Sequence, residues 1–277
     1  MLVHKNENQV NRLIKHLSKD FDIYAHIDKR FSMKMHDQDN VFVYKKFKTY
    51  WGSFNLIMGT LFLMTEASKK GYERYILLSG QDLPVKTNKE INTFFENNDF
   101  EYIEIEKIPH KNGRPDIDMN RLAHYHQNCK YHGQEEKIKY RLFYRIHRKI
   151  FHIISKCRPR KLEYDFYGGW QWMNLTKCCV EKIFEYLKSD KKYLKRYKRT
   201  RCADEIFFQT IIHQIKELEI KNECLRYMDW DSGPEYPRTL RINDYEKIME
   251  TKNLFARKFD ETVDTEIIDK IYKAVGE

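Results

Sequence analysis

The sequence predicts an α/β fold, a single domain on a mixed, mostly parallel and doubly wound sheet. Two observations carry that expectation. Short apolar runs alternate with segments of helical spacing through the first half of the chain, which is the rhythm of βαβ units. Polar residues then cluster where those runs end, and open α/β sheets bind ligands beyond the carboxyl ends of their strands. A chain of 277 residues suits one such domain and is long enough to bury a sizeable core.

Taken in order, residues 2–4 read as a short strand. Residues 8–17 set Val10, Leu13, Ile14 and Leu17 on one helical face. Residues 21–26 and 41–44 read as strands. Ser53 is expected to cap a helix running to residue 68. Residues 75–78 form an apolar run of the kind a buried parallel strand needs. Asn88 is expected to cap a helix through residue 95, with a strand at 102–105 after it. The strand ends carry His4-Lys5, Asp28-Lys29-Arg30 and Ser79-Gly80-Gln81-Asp82.

Residues 137–161 break the rhythm. Ile138, Leu142, Phe143, Ile146, Ile150, Ile153 and Ile154 fall on one helical face amid ten Lys or Arg residues. Two readings stand. A basic amphipathic helix lies on an anionic membrane surface, or the helix packs on its own domain and solvates its basic face. Further on, helices are expected from about residue 176 and from Asp204 to about 215. Residues 226–230 and 238–241 read as short strands. Asn243 or Asp244 caps a short helix ending before 252, residues 254–259 are extended or irregular, and Thr265 opens a C-terminal helix.

Composition narrows the function. The 19 Tyr, 17 Phe and 4 Trp are more than a disordered chain carries. A net charge of +10 favours polyanionic partners. No zinc-finger, RNP-type or helix-turn-helix pattern accompanies it, so a nucleic-acid-binding protein is only a remote alternative. The six cysteines form no CxxC pair, which argues against a structural zinc site. Neither a signal peptide nor eighteen consecutive apolar residues is visible, so the expectation is a cytosolic protein with reduced thiols. It remains free to sit peripherally at the inner face of the plasma membrane.

No GxGxxG, GxxxxGK[ST] or GxSxG motif occurs. Two Asp-x-Asp triplets, Asp116-Ile117-Asp118 and Asp229-Trp230-Asp231, offer the oxygen ligands that hard cations take. Nothing else marks a cage, and no metal site is predicted.

One long block resembles a known family. Gly80-Gln81-Asp82-Leu83-Pro84-Val85-Lys86-Thr87-Asn88-Lys89-Glu90-Ile91 is similar to a signature stretch of the core-2/I-branching β-1,6-N-acetylglucosaminyltransferases. That group includes peptide O-xylosyltransferases and bacterial surface-glycan enzymes. Shorter blocks match in order: Val3-His4-Lys5, His26-Ile27-Asp28-Lys29, Trp51-Gly52-Ser53, Gly168-Gly169-Trp170-Gln171-Trp172 and Asp204-Glu205. A final long block is Leu254-Phe255-Ala256-Arg257-Lys258-Phe259-Asp260.

The resemblance implies a GT-A type, Rossmann-like sandwich and inverting transfer from a UDP-sugar, with no metal or other cofactor. It divides the chain into a nucleotide-sugar half (1–110) and an acceptor and catalytic half (111–277). By position it makes Glu205 the catalytic base and Lys258 a diphosphate contact. Arg238 becomes the diphosphate arginine, with Arg241 as its rival. Val3, His4 and Asp28 match uridine-binding positions, and Trp51 falls near the sugar. Glu104 lies near the acceptor position, with Glu106 as rival. Asp82 either contacts the donor sugar or stabilises the turn before Pro84. Trp172 and Trp230 join the donor and acceptor region, and Trp170 and Trp172 suit its wall better than direct contact.

The chemistry is consistent with that mapping. Inverting transfer needs one base for the acceptor proton. A departing diphosphate without Mg²⁺ needs fixed cations, which an arginine fork and a lysine supply. The expected partners are a UDP-sugar, with N-acetylglucosamine the family's default and galactose its rival, and a glycan or lipid-linked oligosaccharide acceptor. An anionic membrane surface is a further expected contact. The chain then reads as a bacterial enzyme of polysaccharide biosynthesis. The alternative is a metal-dependent transferase using Asp229 and Asp231.

Overall fold

The computed structural model describes residues 1–109, 119–126, 138–233 and 237–277. The chain begins β1 (Leu2–Val3), α1 (Glu7–Leu17), β2 (Ile23–Ile27), β3 (Val41–Tyr44), α2 (Phe54–Ser68), β4 (Arg74–Ile76), β5 (Asp82–Pro84), α3 (Asn88–Glu96), β6 (Glu101–Ile103) and β7 (Glu106–Lys107). It continues α4 (Asn120–Ala123), α5 (Ile138–Cys157), β8 (Tyr167–Gly168), β9 (Met173–Thr176), α6 (Lys177–Ser189), α7 (Lys191–Arg196) and α8 (Phe207–Gln214). The last elements are β10 (Ile220–Lys221), β11 (Arg226–Met228), α9 (Tyr245–Glu250), β12 (Phe255–Arg257) and α10 (Thr265–Ala274).

β3, β2 and β1 pair in parallel. Leu2 bridges to Ser79, its amide donating to the Leu78 carbonyl at 3.0 Å, which joins β1 to the segment just after β4. β4 is antiparallel to β9, β9 is antiparallel to β6, and β6 is parallel to β10. The order β3-β2-β1-β4-β9-β6-β10 is a mixed, mostly parallel sheet in which β9 runs against its neighbours. One hydrophobic cluster joins α1, α3 and α10, with Leu13, Ile91 and Ile271 fully buried. The other joins α2, α6 and α8 through Ile57, Ile183 and Phe207. Beside the main sheet, β12 lies between β11 (parallel) and β5 (antiparallel).

Several elements depart from the sequence expectation. β4 is half-buried and antiparallel to β9, where residues 75–78 were expected to be a buried parallel strand. Apolar content does not encode strand direction. Thr87, not Asn88, caps α3. Its hydroxyl accepts from the Glu90 amide, and the Glu90 carboxylate accepts from the Thr87 amide, a capping box. Asn88 instead turns inward and donates to the His16 carbonyl at 2.9 Å. Ser53 sits at the cap position of α2 but its side chain caps nothing. The helix expected from Asp204 starts at Phe207, after a 3₁₀ turn over Ala203–Glu205. Residues 238–241 form no strand, whereas β12 does form within 254–259. Asp116 and Asp118 lie outside the described residues.

Residues 138–157 of the 137–161 segment form the helix α5. Its apolar stripe is exposed, Leu142 to 62% and Ile153 to 59%. Among the described residues the helix meets its own domain through Ser155 and Phe151.

Candidate active site

The carboxyl ends of β1, the segment after β4 and β12 are laced together by side chains. Val3 is buried and ends β1, and His4 follows it at the surface. Lys5 Nζ pairs with Asp260 Oδ2 at 2.5 Å, and Asn6 Nδ2 donates to Asp260 Oδ1 at 2.9 Å. Burial opposes ionisation of Asp260, yet Lys5, Thr262 and Asn6 outweigh it and hold the carboxyl well below the usual range. Gln9 Nε2 donates to the Gly80 carbonyl at 2.8 Å and to that of Phe259 at 3.2 Å. The Leu240 amide donates to the Lys258 carbonyl at 2.9 Å. Lys258 therefore stands in the same corner as His4 and residues 238–241.

Asp28 directly follows β2 but has no exposed surface. Its carboxylate accepts from the Arg30 amide at 2.9 Å, the Arg30 guanidinium at 2.6 Å, and the Thr49 amide and hydroxyl at 3.1 and 3.2 Å. Burial raises its pKa, and these donors more than reverse that. Asp28 thus ties Arg30 and Thr49 to the end of β2. Asp82 is also fully buried. Its Oδ2 accepts from the Ser79 amide at 2.6 Å, the contact that the turn-stabilising reading expects, whereas Oδ1 has no hydrogen-bond partner among the described residues.

Arg238 is also committed. Nε and Nη2 donate to Asp229 Oδ2 at 2.9 and 2.8 Å, while Nη1 and Nη2 donate to Asp244 at 2.9 and 2.7 Å. Its fork is spent on two carboxylates, whereas the Arg241 side chain is exposed. The two positional rivals thus differ, Arg238 held between two carboxylates and Arg241 open to solvent. The same network bears on the Asp229-x-Asp231 triplet. Asp229 also accepts from the amides of Asp231 and Ser232 at 3.0 Å each and from the Ser232 hydroxyl. Ser232 foremost, and Arg238 with it, hold Asp229 well below the usual range. Among the described residues no group of three His, Cys, Asp or Glu side chains is placed to hold a metal ion.

Glu205 lies in the 3₁₀ turn just before α8, partly open to solvent. The turn starts from Cys202, which holds a left-handed φ of 46°. A non-glycine residue adopts that at a cost of roughly 1 kcal/mol or more. The Cys202 amide donates to the Gly52 carbonyl at 2.9 Å, which brings Trp51 to the same place. Trp51 is exposed, with the Arg201 guanidinium 5.5 Å from its ring. Arg121 of α4 donates from Nη1 to Glu205 Oε2 at 2.7 Å. Asp204, next in chain, is pushed up to about 7 by burial first and by the Glu205 charge second.

Gly168-Gly169 ties the remaining glutamates to this turn. The Gly169 amide donates to the Glu205 carbonyl at 3.0 Å. A Cβ on Gly169 would lie 2.0 Å from the Glu104 carbonyl oxygen, so glycine alone permits that approach. Glu106 pairs with Gly168 across β7 and β8. The backbone of both glutamates thus lies beside the Gly168-Gly169 segment that bonds the Glu205 carbonyl. The Trp170 and Trp230 rings stack 4.0 Å apart at 11°, and Trp230 follows Asp229, the partner of Arg238. This aromatic pair spans from the Glu205 side to the Lys258 corner. Trp172 is buried under the Arg257 guanidinium, 3.8 Å from its ring.

The core-2/I-branching enzyme family profile matches residues 2–252, nearly the whole chain. The chain belongs to this family. Membership places it among glycosyltransferases, with the mixed α/β sheet described above. Similar proteins include xylosyltransferase 2 of Pan troglodytes, 25% identical over 295 residues, and of Bos taurus, 25% identical over 295 residues. The human xylosyltransferase 2 is 25% identical over 293 residues. These alignments cover 94%, 95% and 94% of this chain but 31% of each relative, so the chain spans about a third of their length. The core-2/I-branching match ends before β12, and Lys258 lies beyond it.

Two residues that touch these candidate side chains are not marked by the sequence. Arg121 sits in a stretch without periodicity or motif, and only the fold brings it to Glu205. Arg257 was within a quoted block, one position before Lys258, but nothing in the sequence marks its burial. Its Nη1 lies 3.7 Å from Asp82 Oδ1, too far for a hydrogen bond. One consequence separates the cations of this corner. Lys258→Ala is expected to weaken UDP binding about tenfold or more, the loss of one charged contact, with little change in Tm. Arg238→Ala is expected to lower Tm, because Asp229 and Asp244 lose their shared partner. Titration calorimetry and thermal melts of both variants check this; equal UDP affinity in Lys258→Ala moves the diphosphate elsewhere.

Proposed function

We propose that this enzyme is an inverting UDP-sugar glycosyltransferase that works without a divalent ion. The observation that carries the reading is the placement of Glu205. It is a partly open carboxylate on a strained turn, tied to the Gly168-Gly169 segment beside the Glu104 and Glu106 backbone and to Gly52 beside Trp51, with a corner holding His4, Arg241 and Lys258 beyond the Trp170–Trp230 stack. In the proposed step the acceptor hydroxyl oxygen attacks the anomeric carbon from the face opposite UDP. Its proton passes to the Glu205 carboxylate, the new glycosidic bond forms, and the bond to the diphosphate oxygen breaks. UDP departs with the bonding electron pair. Charge builds on the diphosphate, where Lys258 and Arg241 are preorganised to meet it, and such donors are worth roughly 3–4 kcal/mol each. Arg121 orients the base through its 2.7 Å hydrogen bond, and Gly169 fixes the turn.

The proposed acceptor is a glycan hydroxyl, carried on a lipid in bacterial polysaccharide biosynthesis. N-acetylglucosamine is the proposed sugar. Galactose stays in contention as the earlier rival, and xylose enters because similar proteins are named xylosyltransferases. The metal-dependent alternative is disfavoured because Asp229 spends its oxygens on Arg238, Asp231 and Ser232. A hydrolysis and transfer screen with UDP-N-acetylglucosamine, UDP-galactose and UDP-xylose, run with and without EDTA, tests both points. Turnover is expected to survive EDTA with one donor clearly preferred. Activity lost to EDTA and restored by Mg²⁺ or Mn²⁺ would overturn metal independence.

A further inference from the structure

α5 has three distinct faces. At about 100° per residue, Leu142, Phe143, Ile146, Ile150, Ile153 and Ile154 form a stripe roughly 120° wide, and all six are exposed. A second face carries Phe151 and Ser155 toward the protein. Ser155 Oγ accepts from the Tyr125 amide at 2.8 Å, and the Arg199 guanidinium lies 5.1 Å from the Phe151 ring. The third face carries Arg145, Arg148, Lys149 and Lys156, all exposed, directly alongside the apolar stripe.

Six large apolar side chains in one exposed stripe mark an interaction surface. The row of cations beside it indicates what covers it. A second copy packed symmetrically would bring the same cations toward one another. A lipid surface with anionic head groups meets both rows at once, because acyl chains take the apolar stripe and phosphates take the Arg and Lys side chains. The helix has 20 residues, about 30 Å of length. No helix among the described residues is long and apolar enough to cross a membrane, so α5 has the character of a helix lying in the interface plane. The net charge of +10 adds long-range attraction to the same surface.

We propose that α5 is a peripheral anchor that lays the protein on an anionic membrane. The anchor connects to the site through a short path. Arg199, over Phe151, opens the segment that passes Arg201, over the Trp51 ring, and ends at Glu205. The mouth beside Glu205 then opens toward hydroxyls of lipid-borne glycans. That orientation rests on the catalytic reading above, whereas the anchoring does not.

Co-sedimentation of the full chain with vesicles tests the anchor. At low salt the protein is expected to pellet with phosphatidylglycerol–phosphatidylcholine vesicles and to stay in solution with phosphatidylcholine alone. Combined Leu142→Ser, Ile146→Ser and Ile150→Ser is expected to cut partitioning at least about tenfold. Combined Arg145→Gln, Arg148→Gln and Lys149→Gln is expected to reduce it and flatten its salt dependence. UDP-sugar hydrolysis in solution by the first variant should match wild type, so loss of anchoring and loss of catalysis read separately. The proposal is overturned if wild type ignores anionic vesicles or if both variants partition equally to it. It is also overturned if wild type sediments as a dimer that the serine variant makes monomeric, since a second copy would then cover the stripe.

Discussion

Glu205→Gln is expected to keep UDP binding and to lose transfer by at least about a hundredfold, the usual worth of a positioned general base. Glutamine has the same shape, and its amide oxygen still accepts from Arg121, so the turn keeps its hydrogen bond at that end. What disappears is the only property the step needs from this side chain, a carboxylate able to take the acceptor proton. The neighbouring Asp204 gives an internal check. Its pKa is raised by burial and by the Glu205 charge, so removing that charge lowers it and leaves burial as the main cause. Asp204 then ionises at lower pH, and the variant's residual activity should show a shifted pH profile. Single-turnover transfer beside calorimetric UDP binding separates the two steps. Turnover equal to wild type would sink the assignment of the base.

The second large effect is structural. Gly169→Ala places a methyl carbon 2.0 Å from the Glu104 carbonyl oxygen and 2.7 Å from its carbon. Backbone cannot rotate away as a flexible side chain does, so the segment after β8 must retreat from the one after β6. Overpacking of that kind costs about 3 kcal/mol, and a shift of that size lowers Tm by roughly 6–10 °C in a chain of this size. The retreat also strains the Gly169 amide's hydrogen bond to the Glu205 carbonyl, so transfer falls with stability. A melt and an assay on the same preparation check it. A Tm unchanged from wild type would mean that the two segments are not held so closely.

Much of the fold was legible because local patterns carry it. Residues 41–44 are read as a strand and form β3, and the spacing of Val10, Leu13, Ile14 and Leu17 marks the buried face of α1. Strand direction was not legible. Nothing in Met173–Thr176 says that it reverses between β4 and β6, because that choice is made by partners far away in sequence. Residues 254–259 read as extended or irregular, and pairing with the distant β11 and β5 is what makes 255–257 a strand. At the site, Glu205 could be found through its Asp204-Glu205 block, yet Arg121 could not. Arg238 shows the converse. Its position suggested a ligand, but its guanidinium folds back on Asp229 and Asp244, carboxylates nine and six residues away. Charge pairing at that range has no periodic signature.

The Lys5–Asp260 pair joins residues 255 positions apart. Loop closure over that separation is among the slowest kinds of contact for a chain to make. Synthesis runs from the amino end, so this corner must wait for residues 258–260, long after β1 to β3 have emerged. The first hundred or so residues hold those strands but not the aspartate that ties the loop after β1 to the segment after β12. During synthesis the scaffold therefore exists well before the corner is closed, and the closing residues follow directly on β12.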